Sequence, residues 1–177
     1  MKGVMKSFVT ISALSALTIA PIFMSAGQAS AAPKGTDASY VGVGISAGVT
    51  NGGQTGDAAN LGGNLVGRAK LGRTPFSLRG QINFSDQTSA IIPHATVDIP
   101  VGNTTNVYVG GGYQFVEKDG KPTPSGNKDG VAVVAGVESE VAKNFLVYSN
   151  ATVGVRAYKN SPASAVSINS GIGYRFK

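Results

Sequence analysis

Eight stretches of this chain alternate, residue by residue, between apolar side chains and small or polar ones. They run over residues 40–49, 61–71, 76–84, 90–99, 106–115, 131–141, 145–158 and 165–176. In the first, Val41, Val43, Ile45, Ala47 and Val49 oppose Gly42, Gly44, Ser46 and Gly48. In the third, Phe76, Leu78, Ile82 and Phe84 oppose Ser77, Arg79, Gln81 and Asn83. In the last, Val166, Ile168, Ile172, Tyr174 and Phe176 oppose Ala165, Ser167, Asn169, Gly171, Gly173 and Arg175. Side chains alternate across a strand, so a period of two predicts eight strands, each with one apolar face. No stretch carries a convincing helical period.

The connections alternate too. Residues 50–60 and 116–130 are long, 72–75 and 142–144 are tight, 100–105 is short, and 85–89 and 159–164 lie between. Each stretch is close to the roughly 9–11 residues that a tilted membrane strand needs. Outer-membrane barrels have short periplasmic turns and longer outer loops, and an even strand count returns both termini to the periplasmic side.

An open sheet of this kind would leave two unpaired edges, which lipid cannot satisfy; closing it removes them. The predicted fold is therefore all-β: an eight-stranded antiparallel up-and-down transmembrane β-barrel with its polar parity inward. Turn centres then place seven inward residues in one layer toward the periplasmic end: Arg68, Arg79, Asp98, Tyr108, Glu138, Tyr148 and Arg175. The expected pairs across strands are Arg68 with Arg79, Tyr108 with Glu138, Glu138 with Tyr148, and Tyr148 with Arg175. Asp98 lies diagonal to Arg79, and strand one contributes Gly42. Three Arg against two acids could pair in a network that compensates their burial. Above it the inward residues are smaller or neutral: Gly48, Asn64, Asn83, Gly112, Thr152 and Ser167. An eight-stranded interior is just wide enough for side chains to fill, which predicts a plugged lumen.

Ahead of the strands, Lys2 and Lys6, the apolar stretch 8–23 and Ala29-Ser-Ala31 have the three-part layout of a cleaved signal peptide. The expected division is a signal peptide at 1–31, a short lead-in at 32–38 and a barrel at 39–177. Beyond the leader, the longest apolar run covers residues 131–135, far short of the ~20 a spanning helix needs. Composition narrows the rest. The 177 residues include no Cys, which excludes disulfides, a Cys-ligated metal and a lipid-anchored Cys. The net charge of +6 falls to +4 without Lys2 and Lys6, and no basic cluster marks a nucleic-acid surface.

Gly171-Ile-Gly-Tyr174-Arg-Phe176 resembles the insertion signal of small eight-stranded outer-membrane barrels, those of the outer membrane protein A and X type. The resemblance extends over 40–176, and Ile172, Tyr174 and Phe176 are the residues that carry the signal. Lys177, which follows the terminal aromatic, departs from the pattern. The resemblance implies an outer-membrane location, with membrane lipid and the barrel-assembly machinery as partners. It implies no single activity, because this fold serves many.

His94, the only histidine, sits inward with Thr96 and Asp98 on the same parity. A mid-strand position suits a polar interior residue better than a catalyst on lipid, for which reach comes before pKa. Gly42-x-Gly44 lies within a strand, away from any strand-to-helix turn, so small interior residues explain it better than a phosphate loop. Lys118-Asp-Gly120 and Lys128-Asp-Gly130 lack the spaced carboxylates of a calcium loop. No catalytic, metal or cofactor site is therefore expected. The reading is an outer-membrane barrel with a structural or surface-interaction role through loops 50–60 and 116–130. Three alternatives stay open: a narrow solute channel, a lipid-modifying enzyme using His94, and an exported soluble binding barrel.

Overall fold

The computed structural model describes residues 34–50 and 60–176. Residues 1–31, read as a signal peptide, lie outside the described residues, as do 51–59 of the first long loop and Lys177. Eight strands follow in order: β1 (Ser39–Gly48), β2 (Leu61–Lys70), β3 (Phe76–Phe84), β4 (Ser89–Pro100), β5 (Thr105–Val116), β6 (Gly130–Ala142), β7 (Phe145–Gly154) and β8 (Ala165–Phe176). Each pairs antiparallel with the next, and β8 pairs with β1 from Ser39↔Phe176 to Gly48↔Ser167. The sheet closes and has no free edge.

The apolar parity faces out. Val41, Val43, Ile45, Leu65, Leu78, Val109, Val133 and Ile172 are among the large side chains left exposed. The buried set is mostly polar: Ser77, Arg79, Gln81 and Asn83 on β3, and His94, Thr96 and Asp98 on β4. This inverts the pattern of a water-soluble barrel, which buries its apolar face. The exposed strand aromatics form two belts. Phe76, Phe145, Tyr174 and Phe176 ring the end where β1 begins and β8 ends, and Phe84, Tyr113 and Phe115 ring the other. Phe145 and Tyr174 meet edge-on at 5.6 Å, and Tyr113 and Phe115 pack at 4.9 Å. An apolar band between two aromatic girdles matches a membrane slab with two interfaces.

The end where β1 begins and β8 ends, here the terminus-side mouth, has short turns at 71–75, 101–104 and 143–144. The far mouth carries 49–50, residue 60, 85–88, 117–129 and 155–164. The seventh stretch, predicted to stay extended to residue 158, ends at Gly154. Arg156 has φ 52° and faces solvent, so it is not one of the inward charges. Ala157 and Tyr158 instead pack with Ala163 and Ala165 over the mouth.

Val43 stands mid-strand on the outer face, 54% exposed. If that face meets lipid, Val43→Arg destabilises the barrel in phospholipid vesicles by about 2–4 kcal/mol, the midplane value for arginine. Urea unfolding in vesicles measures it, and an unchanged midpoint would show that the face does not sit in hydrocarbon.

Candidate functional site

Four charges from four strands close a ring inside the barrel, toward the terminus-side mouth. Arg68 (β2) reaches Asp98 (β4) at 2.7 Å and Glu138 (β6) at 2.7 Å. Arg79 (β3) reaches the same two carboxylates at 2.8 Å each. Each guanidinium thus bridges both acids, and each acid bridges both guanidiniums. Glu138 is fully buried, and the other three side chains nearly so. The ring is electrically neutral. Removing four charges from water carries a large desolvation penalty, which only complete pairing and further hydrogen bonds offset.

Those bonds are present. Ser77 donates to Asp98 and accepts from Arg68 Nε at 3.0 Å. Thr96 donates to Asp98 at 3.0 Å and accepts from Arg79 Nε at 3.0 Å. Asn106 donates to Glu138 at 3.1 Å, and Arg79 donates to the Tyr40 hydroxyl at 3.0 Å. The Arg79 guanidinium lies 3.8 Å from the Tyr108 ring centroid, a cation–π contact between two buried side chains.

Alternating large and small residues create the space. A Cβ at Gly136 would lie 2.6 Å from the Tyr108 ring. At Gly42 it would lie 2.7 Å from the Tyr148 ring, and at Gly173, 2.9 Å from the Tyr40 ring. Tyr40 and Tyr148 stack at 6.2 Å beside Val66 and Leu146. Above them the interior becomes a neutral amide layer. Tyr148 donates to Asn64 at 2.5 Å, Gln81 donates to Asn83 and Thr152, and Asn169 donates to Asn150 at 2.8 Å.

Both ends fold inward. At the terminus side, residues 34–38 turn beneath the ring, and the Thr36 carbonyl accepts from Asn106 at 2.7 Å and Arg68 at 3.2 Å. Gly35 makes that turn with φ +61°; a Cβ there would meet Asn106 Oδ1 at 1.8 Å. At the far mouth, Thr123 to Asn127 are buried. Ser125 accepts from Asn83 at 2.6 Å and lies 3.3 Å from the Ser167 hydroxyl. Gly126, at φ +108°, passes so close to Ala157 that a Cβ would sit 2.4 Å from its carbonyl oxygen. Tyr158 bonds to Thr50, and Lys159 pairs with Asp119 at 2.6 Å.

Of the seven residues expected in one layer, Arg68, Arg79, Asp98 and Glu138 form the ring, with Tyr108 stacked on it and Tyr148 one step above. Arg175 does not belong. It pairs with Glu140 at 2.5 Å and donates to the Lys143 carbonyl at the rim. Tyr148 faces Gly171 in place of Arg175, because β7 stops four residues early and moves the pairing centre. Tyr108 faces Gly136, and Glu138 faces Asn106, a two-residue slip from the assumed loop centre. Strand one contributes Tyr40, opposite Arg68, where Gly42 was expected. Tyr40 lay on the inward parity and was readable there; Asn106, Ser77 and Thr96 join through register alone. The middle of loop 116–130, expected at the surface, is inside.

His94 is buried, with Nδ1 2.9 Å from the Ile92 carbonyl. The Thr96 hydroxyl is engaged by Arg79 and Asp98, so it is not paired to His94 as a nucleophile would be to its base. Among the described residues, no cluster of three side chains suits a metal ion.

The chain has the fold of the small eight-stranded outer-membrane β-barrels. The attachment invasion locus protein Ail of Yersinia pestis, solved with the heparin analogue sucrose octasulfate, is similar at 18% identity with TM-score 0.52, over 78% of this chain and 97% of that one. The N-terminal barrel domain of Pseudomonas aeruginosa OprF is similar at 12% identity, TM-score 0.52, over 80% and 98%. A de novo designed transmembrane barrel matches at 13% identity, TM-score 0.52, over 80% and 98%. No family model and no curated protein matches the sequence.

Removing one member of the ring takes one partner from each buried neighbour and leaves the interior with an uncompensated charge. Arg79→Met is expected to destabilise the barrel by about 3–5 kcal/mol in urea titrations. Adding Glu138→Gln to Arg79→Met recovers part of that loss, because the excess negative charge is gone and Arg68 is left to balance Asp98. Strictly additive effects in this double-mutant cycle would show that the ring is not a coupled unit.

Proposed function

We propose that the mature chain is an integral outer-membrane β-barrel of a double-membraned bacterium. Its lumen is plugged by side chains, and its role is structural or surface-interacting. The observation that carries this reading is the inversion of the barrel: an apolar belt bounded by aromatics outside, a fully paired charge ring inside. Neither arrangement serves a barrel in water, and both serve one in lipid.

Residues 1–31 act as the export signal and are removed. Ile172, Tyr174 and Phe176 present alternate apolar and aromatic side chains along the outer face of β8, the form in which the barrel-assembly machinery reads its substrates. The ring, the amide layer and the inward segments at both mouths support a barrel closed to solutes over the narrow-channel alternative. The fixed geometry of His94 and Thr96 supports a barrel without catalysis. Surface recognition falls to residues 50–60 and to the exposed shoulders of 116–130, since the loop's centre is engaged inside. The sulfated ligand held by Ail makes a polyanion a reasonable first probe of that surface.

Two measurements test the reading. The folded protein should migrate differently from the boiled protein on a denaturing gel, and it should require detergent or lipid to fold. It should also add no regular conductance steps to a planar bilayer. Folding in plain buffer without a heat-dependent shift sinks the membrane reading; reproducible steps sink the plug alone.

A further inference from the structure

Among the described residues, the charge excess lies mostly at one end of the barrel. Among the described residues, the terminus-side rim carries Lys34, Lys70, Arg73, Lys143 and Arg175 against Asp37 and Glu140. The far mouth is closer to balance, with Lys118, Lys121, Lys128, Arg156 and Lys159 against Asp86, Glu117, Asp119 and Asp129. Three of the rim cations converge. Lys34, Lys70 and Arg73 line one cavity of about 220 Å³, and none of them forms an ion pair among the described residues. Its floor is the outer surface of the ring, where Asp98 is already neutralised by Arg68 and Arg79. Thr36 lines the same cavity, and its buried hydroxyl has no hydrogen-bond partner.

We propose that this cavity binds a phosphate group, held by Lys34, Lys70 and Arg73 with the Thr36 hydroxyl as a further donor. Arginine offers the fork that matches phosphate oxygens, and lysine offers mobile point charges. The volume lies below that of a drug-sized pocket and suits one small anionic group. Two sources share this chemistry: the headgroup of an anionic phospholipid in the leaflet beside the rim, and free phosphate. The lipid source rests on the membrane reading above; the free anion does not.

The test uses the folded barrel in uncharged detergent, titrated with short-chain phosphatidylglycerol and separately with inorganic phosphate, followed by calorimetry. Saturable binding is expected for at least one probe. Lipid binding that phosphate displaces identifies the phosphate group itself as the ligand; lipid binding that phosphate leaves intact identifies the lipid. Each cation in contact with the phosphate is taken as worth about fivefold in affinity, the value for a cation held against an anionic lipid surface. The variant K34Q/K70Q/R73Q should therefore weaken binding by roughly a hundredfold. K143Q/R156Q, with charges on the same rim outside the cavity and at the far mouth, should leave it within about twofold. A retained heat-dependent gel shift certifies folding of each variant; should the triple variant not fold, R73Q alone, in an exposed turn, is expected to weaken binding about fivefold. Failure of both probes in a barrel that shows the gel shift overturns the pocket and leaves the membrane reading standing. Equal losses in K34Q/K70Q/R73Q and K143Q/R156Q overturn it as well.

Discussion

The ring of Arg68, Arg79, Asp98 and Glu138 is the constraint around which this barrel is arranged. Backbone hydrogen bonds close the sheet, but they are indifferent to which side chains end up opposite one another. The ring is not. A slip of two residues between β2 and β3 keeps every apolar side chain outside, yet it separates Arg68 from Arg79 and strands a charge in a dry interior. Replacing such a ring with well-packed apolar residues would often be neutral for stability. What the ring supplies is register, tying β2, β3, β4 and β6 across the interior as the ladder ties neighbours around the wall.

Packing around the ring fills the space that its four side chains leave. Tyr40, Tyr108 and Tyr148 fill the space beside the charges, and Gly42, Gly136, Gly171 and Gly173 stand where the rings would otherwise collide with a Cβ. The segment 34–38 then covers the ring from below, presenting the Thr36 carbonyl to two of its donors. That segment reads in sequence as a polar lead-in, but it completes the coordination of Arg68.

The alternation of residues made the strands legible, together with the parity that faces out and most of the charged set. Strand ends and register were harder to read. Parity repeats every two residues, so it places Arg175 inward but cannot say at what height. Height depends on where a strand stops, and β7 stops at Gly154 because 155–158 turn over the mouth to bury Ala157 and Tyr158. Nor does composition tell an exposed loop from an inserted one. Thr123 to Asn127 have the polar, turn-rich character of a surface loop; inside a polar barrel that same character lets Ser125 bond to Asn83 and face Ser167. In a protein whose core is polar, loop-like residues are core-like too.

This inversion also explains why likeness in fold travels here without likeness in sequence. Identity to a designed barrel, 13%, falls between the values for two natural ones, 12% and 18%. The wall asks only for alternation, aromatic ends and closure, and many sequences meet those terms. A designed chain can meet them with no biological role at all, so similarity of the wall says nothing of what a barrel does. The features specific to this chain are the ones the wall does not require: the pairing of four particular charges, the segments drawn into each mouth, and the unpaired cations gathered at the rim beneath Arg68. Any activity the protein has beyond occupying a membrane is to be sought in these and in the long loops, and not in the wall.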